Sequence, residues 1–192
     1  VEPFCTDSGV TFPAGVDVPA ASVAEPGNDY DCLFTTPNPA WYYLEIAEPG
    51  NINILLTNSN SVDVDFALWG PFPNANAAND ACGTLSASQI EDCSYSADDT
   101  ENIDIDNAIV GEVYILLITN YSNVPTDITA GQNGGPGATD CDIVLCDLQA
   151  IVTANNPVCS GNTIQLTGGV SSSGNTVTYA WTGPNGYTST LQ

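Results

Sequence analysis

Carboxylates are the side chains of this sequence with the widest chemical reach, and residues 59–72, SNSVDVDFALWGPF, set two of them one residue apart. Read as a strand, Val62, Val64, Phe66 and Leu68 lie on one face and Asp63, Asp65, Ala67 and Trp69 on the other. Neighbouring like charges repel, so water, backbone donors or a cation must compensate the pair. Carboxylate pairs also hydrolyse glycosides, at about 5–5.5 Å separation for retention or about 6.5–9.5 Å for inversion. Strand residues i and i+2 have Cα atoms about 6.6–7 Å apart, so distance alone admits Asp63 and Asp65. A catalytic pair also needs a cleft, opposed approach and one raised pKa. The expectation is a pair that does no catalysis.

Calcium is the cation such residues suit, since it takes about 6–8 oxygen ligands from carboxylates, carbonyls and water. Three acidic groups are candidates. The first is Asp63 with Asp65, and the second is Asp98, Asp99, Asp104 and Asp106. The third is the loop EPGNDYDC, with Glu25, Asn28, Asp29 and Asp31, which by composition is the better single calcium loop. If the strands carrying Asp63 and Asp104 are neighbours, four carboxylates share one face. The competing expectation is a solvated acidic face without an ordered ion.

Composition decides what else is possible. Of 192 residues, 23 are Asp or Glu and none is Lys, Arg or His, giving a formal charge of −23. No side-chain salt bridge can form. Without His or Lys there is no Ser-His-Asp triad, Cys-His pair, His-ligated zinc or Schiff base. Phosphate binding needs Lys and Arg, so nucleic acid and anionic membrane are poor partners and neither is expected. No apolar run approaches the roughly 18 residues a membrane helix requires. The chain also offers no site to trypsin-like proteases. It does not begin with Met, which fits a mature secreted protein or a fragment.

The elements that must position these residues are short alternating strands between turn clusters. AWYYLEIA places Tyr42, Leu44 and Ile46 on the core face, GNINILLTN follows, and ENIDIDNA points Ile103 and Ile105 inward with Asp104 and Asp106 outward. GEVYILLITNYS reads as a central strand, and residues 70–100 as a long excursion. With no helical period evident, the fold class is all-β: a jelly-roll-like antiparallel β-sandwich over residues 1–140, tied by disulfides. Residues 141–147 read as a cysteine-bracketed linker after a Gly-rich hinge. Residues 148–192 read as the first part of an Ig-like domain with Trp181 in its core, too short to be complete.

Seven cysteines in such a chain point to disulfides. Sequence proximity pairs Cys82 with Cys93, Cys141 with Cys146 and Cys5 with Cys32, although six cysteines allow about 15 connectivities. Cys159 is left over, its partner expected beyond Gln192. Trp41, Tyr43 and Trp69 fall opposite the core residues, where aromatic platforms can stack on sugar rings or cover a sandwich edge. Asn120-Tyr121-Ser122 matches a glycosylation sequon.

NPAWYYLEIAEPGNINILL, DVDFALWGPF, DCSYSADDTENIDI and GEVYILLITNYSN, in that order, resemble a β-sandwich module of large surface proteins in gliding bacteria, typically exported by type IX secretion. DVDFALWGP also resembles the Asp-x-Asp-Leu strand of bacterial pre-peptidase C-terminal domains, and residues 156–190 are similar to Ig-like or PKD-like repeats. The resemblance implies an extracellular adhesin, stalk or filament component whose partners are neighbouring domains, other copies or surface glycans. The alternative it implies is a carbohydrate-binding accessory module of a secreted hydrolase.

Overall fold

The computed structural model describes residues 2–5, 9–141, 150–154, 166–170, 181–183 and 186–190. The chain divides into two compact units, Val1–Ile143 and Val144–Gln192.

The first unit is an all-β sandwich of two mostly antiparallel sheets. One sheet holds β1 (Glu2–Pro3), β3 (Pro39–Glu48), β8 (Val113–Asn120), β5 (Val64–Phe72) and β6 (Ile90–Ser94), in that order. The short β10 (Ala138–Thr139) also pairs with β3. The second sheet holds β2 (Val10–Pro13), β9 (Asp127–Gly134), β4 (Gly50–Asn58) and β7 (Glu101–Ala108). Period-two alternation produces the core between them: Leu44, Ile46, Phe66 and Leu68 from the first sheet meet Ile54 and Ile103 from the second.

The first sheet is buried on both faces. All eight residues of β8 are buried between β3 and β5, which is why the segment reads as a continuous apolar run. Its outer face packs Tyr43, Ala67, Trp69 and Leu117 beneath residues 21–36 and 72–95. That cover includes α1 (Ala21–Ala24), α2 (Ala75–Ala81) and a 3-10 turn at Ala87–Gln89, so the expectation of no helix is corrected. In α2, an alanine-rich run starts where the Asn74 side chain accepts the Ala77 N–H at 3.0 Å. It stops before Gly83, whose φ of +83° favours glycine.

The Gly-rich stretch read as a hinge is structural. Residues 127–134 form β9, which lies inside the second sheet between β2 and β4. At Gly135, with φ +88°, a Cβ would collide with the Asn51 carbonyl, so glycine is there to let two backbones approach.

The cysteine pairing by proximity is overturned. Cys5 bonds Cys141, and Cys32 bonds Cys93, while Cys82 is exposed and free. The first bond follows from topology. β1 runs parallel to β3 and β10 antiparallel to it, along the same edge from opposite ends. Phe4 N–H donates to the Tyr43 carbonyl and Asp140 N–H to the Glu45 carbonyl, so Cys5 and Cys141 meet two residues apart along β3. The second bond ties the cover to β6. Two disulfides are typical of extracellular proteins, and no helix among the described residues is long and apolar enough to cross a membrane.

In the second unit β11 (Ala150–Ala154) pairs antiparallel with β12 (Leu166–Val170), and β13 (Trp181–Gly183) with β14 (Tyr187–Ser189). The pairings expected for Cys146 and Cys159 and the burial of Trp181 lie outside what is described, except that Cys141 is already bonded to Cys5.

Candidate functional site

The site lies on the first sheet's outer face, at the end where β5 begins and β8 finishes. β5 and β8 pair with Val64 opposite Asn120 and Asp65 opposite Thr119, so Asp65 and Thr119 stand side by side on that face. Asp63 precedes the strand on the same side and is pinned by the following turn. Its carbonyl accepts the Tyr121 and Ser122 N–H groups at 3.1 and 3.4 Å, and its N–H donates to Ser122 Oγ at 3.1 Å.

Asp65 is 1% exposed and Thr119 is fully buried. Both carboxylate oxygens of Asp65, Asp63 Oδ1 and Thr119 Oγ1 are shielded from solvent without a hydrogen-bond partner. Burial pushes the Asp65 carboxyl up to about 7, the Asp63 and Glu101 charges add to this, and the Ser96 backbone N–H opposes it. Asp63 is raised by burial, then by Glu101 and Asp98. The loop 95–101 closes one side. Ser96 Oγ lies 2.9 Å from Asp98 Oδ2 and 2.7 Å from Glu101 Oε1, one hydroxyl hydrogen for two carboxylates.

Three exposed or half-buried aromatics border this end. Phe34, 87% exposed, meets Tyr95 edge-on at 5.6 Å, and Tyr95 meets Tyr121 edge-on at 5.7 Å. The Thr35 hydroxyl bonds the Tyr95 hydroxyl at 3.1 Å.

The other expected groups are placed elsewhere. β5 and β7 lie in different sheets, so Asp104 and Asp106 do not share a face with Asp63 and Asp65. Asp104 Oδ1 accepts from Asn53 Nδ2 at 2.6 Å. The edge N–H groups of Asp104 and Asp106 donate to the Asp92 and Glu91 carboxylates, at 2.7 and 3.3 Å. Burial raises the Asp92 carboxyl, while the N–H groups of Asp104 and Cys93 lower it. Asp99 gives its carbonyl to Asn58 Nδ2. In the EPGNDYDC loop, Asn28 bonds Glu25 and the Leu85 N–H, and Asp29 bonds the Asp31 N–H. That loop seats against residues 82–85, with Gly27 against the Gly83 carbonyl. Among the described residues no three Cys, Asp or Glu side chains converge on one point suited to a metal.

The expected sugar platform is also corrected. Trp69 is fully buried, Tyr43 is 4% exposed, and Trp41 is half-buried. Trp41 and Trp69 lie 5.8 Å apart with Tyr30 packed on both, because the cover closes over them. Asn120 of the sequon is 1% exposed and donates to the Gly15 and Val124 carbonyls, which withdraws it from glycosylation in the folded chain. Sequence reasoning missed Glu101, although alternation in ENIDIDNA gives it the same parity as Ile103. It also missed Phe34, Tyr95 and Tyr121, which lie outside any periodic segment. No protein-family model and no curated protein matches this chain.

Proposed function

We propose that this chain is a non-catalytic structural and adhesive module of a secreted or cell-surface protein, able to transmit load, with divalent cations such as calcium balancing its acidic faces. The observation that carries this is the Cys5–Cys141 bond, 136 residues apart in sequence with Cα atoms 5.0 Å apart. Tension entering before Cys5 and leaving after Cys141 passes through one covalent link, and the sandwich between bears none of it. Without the link, load would fall on β1 and β10, strands of two residues each. The resemblance to bacterial surface modules points the same way, as does a chain without trypsin-like cleavage sites.

Single-molecule pulling through handles at both ends tests the reading. With disulfides intact, residues 5–141 should contribute no unfolding step. Reduction should release about 460 Å, at about 3.4 Å per residue. Release of that length without reductant would refute it.

A second reading, a carbohydrate-binding accessory module, is favoured by the Phe34–Tyr95–Tyr121 strip, in which exposed Phe34 and Tyr121 flank half-buried Tyr95, since contiguous surface rings can stack on sugars. Glycan-array binding abolished by Phe34→Ala with Tyr121→Ala would support it; no binding by the parent protein would dismiss it.

A further inference from the structure

We propose that Asp63, Asp65 and Thr119 form an internal site for one divalent cation, with calcium the best fit. This deepens the cation-balanced reading above and is independent of the disulfide tether. Three carboxylate oxygens and a hydroxyl oxygen on adjoining residues are all shielded from solvent and all without hydrogen-bond partners. Buried polar atoms are ordinarily satisfied, and buried charge is costly unless it is paired. The chain has no Lys, Arg or His to pair it.

A proton on Asp65 would not resolve this. It would neutralise one charge and leave Asp63 Oδ1 and Thr119 Oγ1 shielded from solvent and unpartnered. A divalent cation would supply the missing partner for all of these oxygens at once. Thr119 is a neutral side chain outside the acidic group, fully buried, with its oxygen also unpartnered and paired across the ladder with Asp65.

Two carboxylates balance a double positive charge. Among the described residues no third carboxylate joins them in a group suited to a metal, which leaves Thr119 Oγ1, carbonyl oxygens and water as the remaining ligands. Asp98 and Glu101 supply a surrounding negative field, both acting on Asp63. The pinning of Asp63 by Tyr121 and Ser122 fixes one ligand in advance.

Terbium titration of the chelator-stripped protein tests the site, with Tyr95 and Tyr121 as sensitisers. One saturable phase, displaced by calcium, is expected. Asp63→Asn with Asp65→Asn should weaken it about 100-fold and Thr119→Val about tenfold, the scale on which ligand and supporting groups tune metal affinity. Asp104→Asn with Asp106→Asn should leave it unchanged. Near-UV dichroism verifies folding, and if the double aspartate variant does not fold, Thr119→Val decides. Equal weakening in the two double variants would overturn the site while leaving diffuse cation balancing intact. No terbium or calcium response in the parent protein would overturn both, and neither result bears on the pulling experiment.

Discussion

Asp65 carries the sharpest consequence of a chain without basic residues. Its pKa is near 7 in the fold against about 3.9 in an unfolded chain. The folded state therefore binds more protons across that interval, and stability falls as pH rises. The contribution is fully present below about pH 4 and lost above about pH 7, at about 1.4 kcal/mol per pH unit within the window. Asp63, Asp92 and Glu45 are raised too, each first by burial, and act in the same direction. With no Lys, Arg or His, no side-chain salt bridge is there to break on acidification. With divalent ions chelated, calorimetry should find the unfolding midpoint higher at pH 5 than at pH 8, and Asp65→Asn should flatten the difference. A midpoint that climbs with pH would contradict this. Residue parity was legible in the sequence: Asp63, Asp65, Ala67 and Trp69 do share a face. What covers that face was not, because a period of two assigns sides of a strand and says nothing of the loops laid over them.

At the scale of elements, the cover over the first sheet decides which aromatics are core. Trp69 is fully buried against Trp41 and Tyr30, so Trp69→Ala should cost about 3–5 kcal/mol in denaturant unfolding, whereas a surface platform residue would cost little. Cys32→Ser with Cys93→Ser should cost about 2–4 kcal/mol and speed proteolysis within residues 21–36 first, since that bond holds the cover to β6. The β7 edge offers a smaller test. Asp92→Ala removes the acceptor of the Asp104 N–H, and a loss of about 1 kcal/mol is expected. Strands with clean alternation, such as β7 with its alternating buried and exposed residues, were readable in advance. The glycines of β9 and of the turn after it were not, because composition cannot separate glycine that gives freedom from glycine that permits close approach.

At the scale of the whole molecule, the sandwich brings together what the sequence keeps apart. Proximity pairing failed because both bonds span long separations, 136 and 61 residues, closed by sheet topology: β1 and β10 converge on one edge of β3. That convergence is a long-range fact that no local pattern encodes. In the chain-entropy account a loop of this length stabilises by about 4–5 kcal/mol, and its mechanical consequence is to route tension past the fold. The claim rests on which cysteines are joined, so the most direct measurement is disulfide mapping. The unreduced, alkylated protein would be cleaved at its acidic residues and analysed by mass spectrometry. The account predicts one cross-linked peptide pair carrying Cys5 and Cys141, a second carrying Cys32 and Cys93, and an alkylated Cys82. A peptide joining Cys82 to Cys93, or Cys141 to Cys146, would contradict the tether and the proposed function built on it.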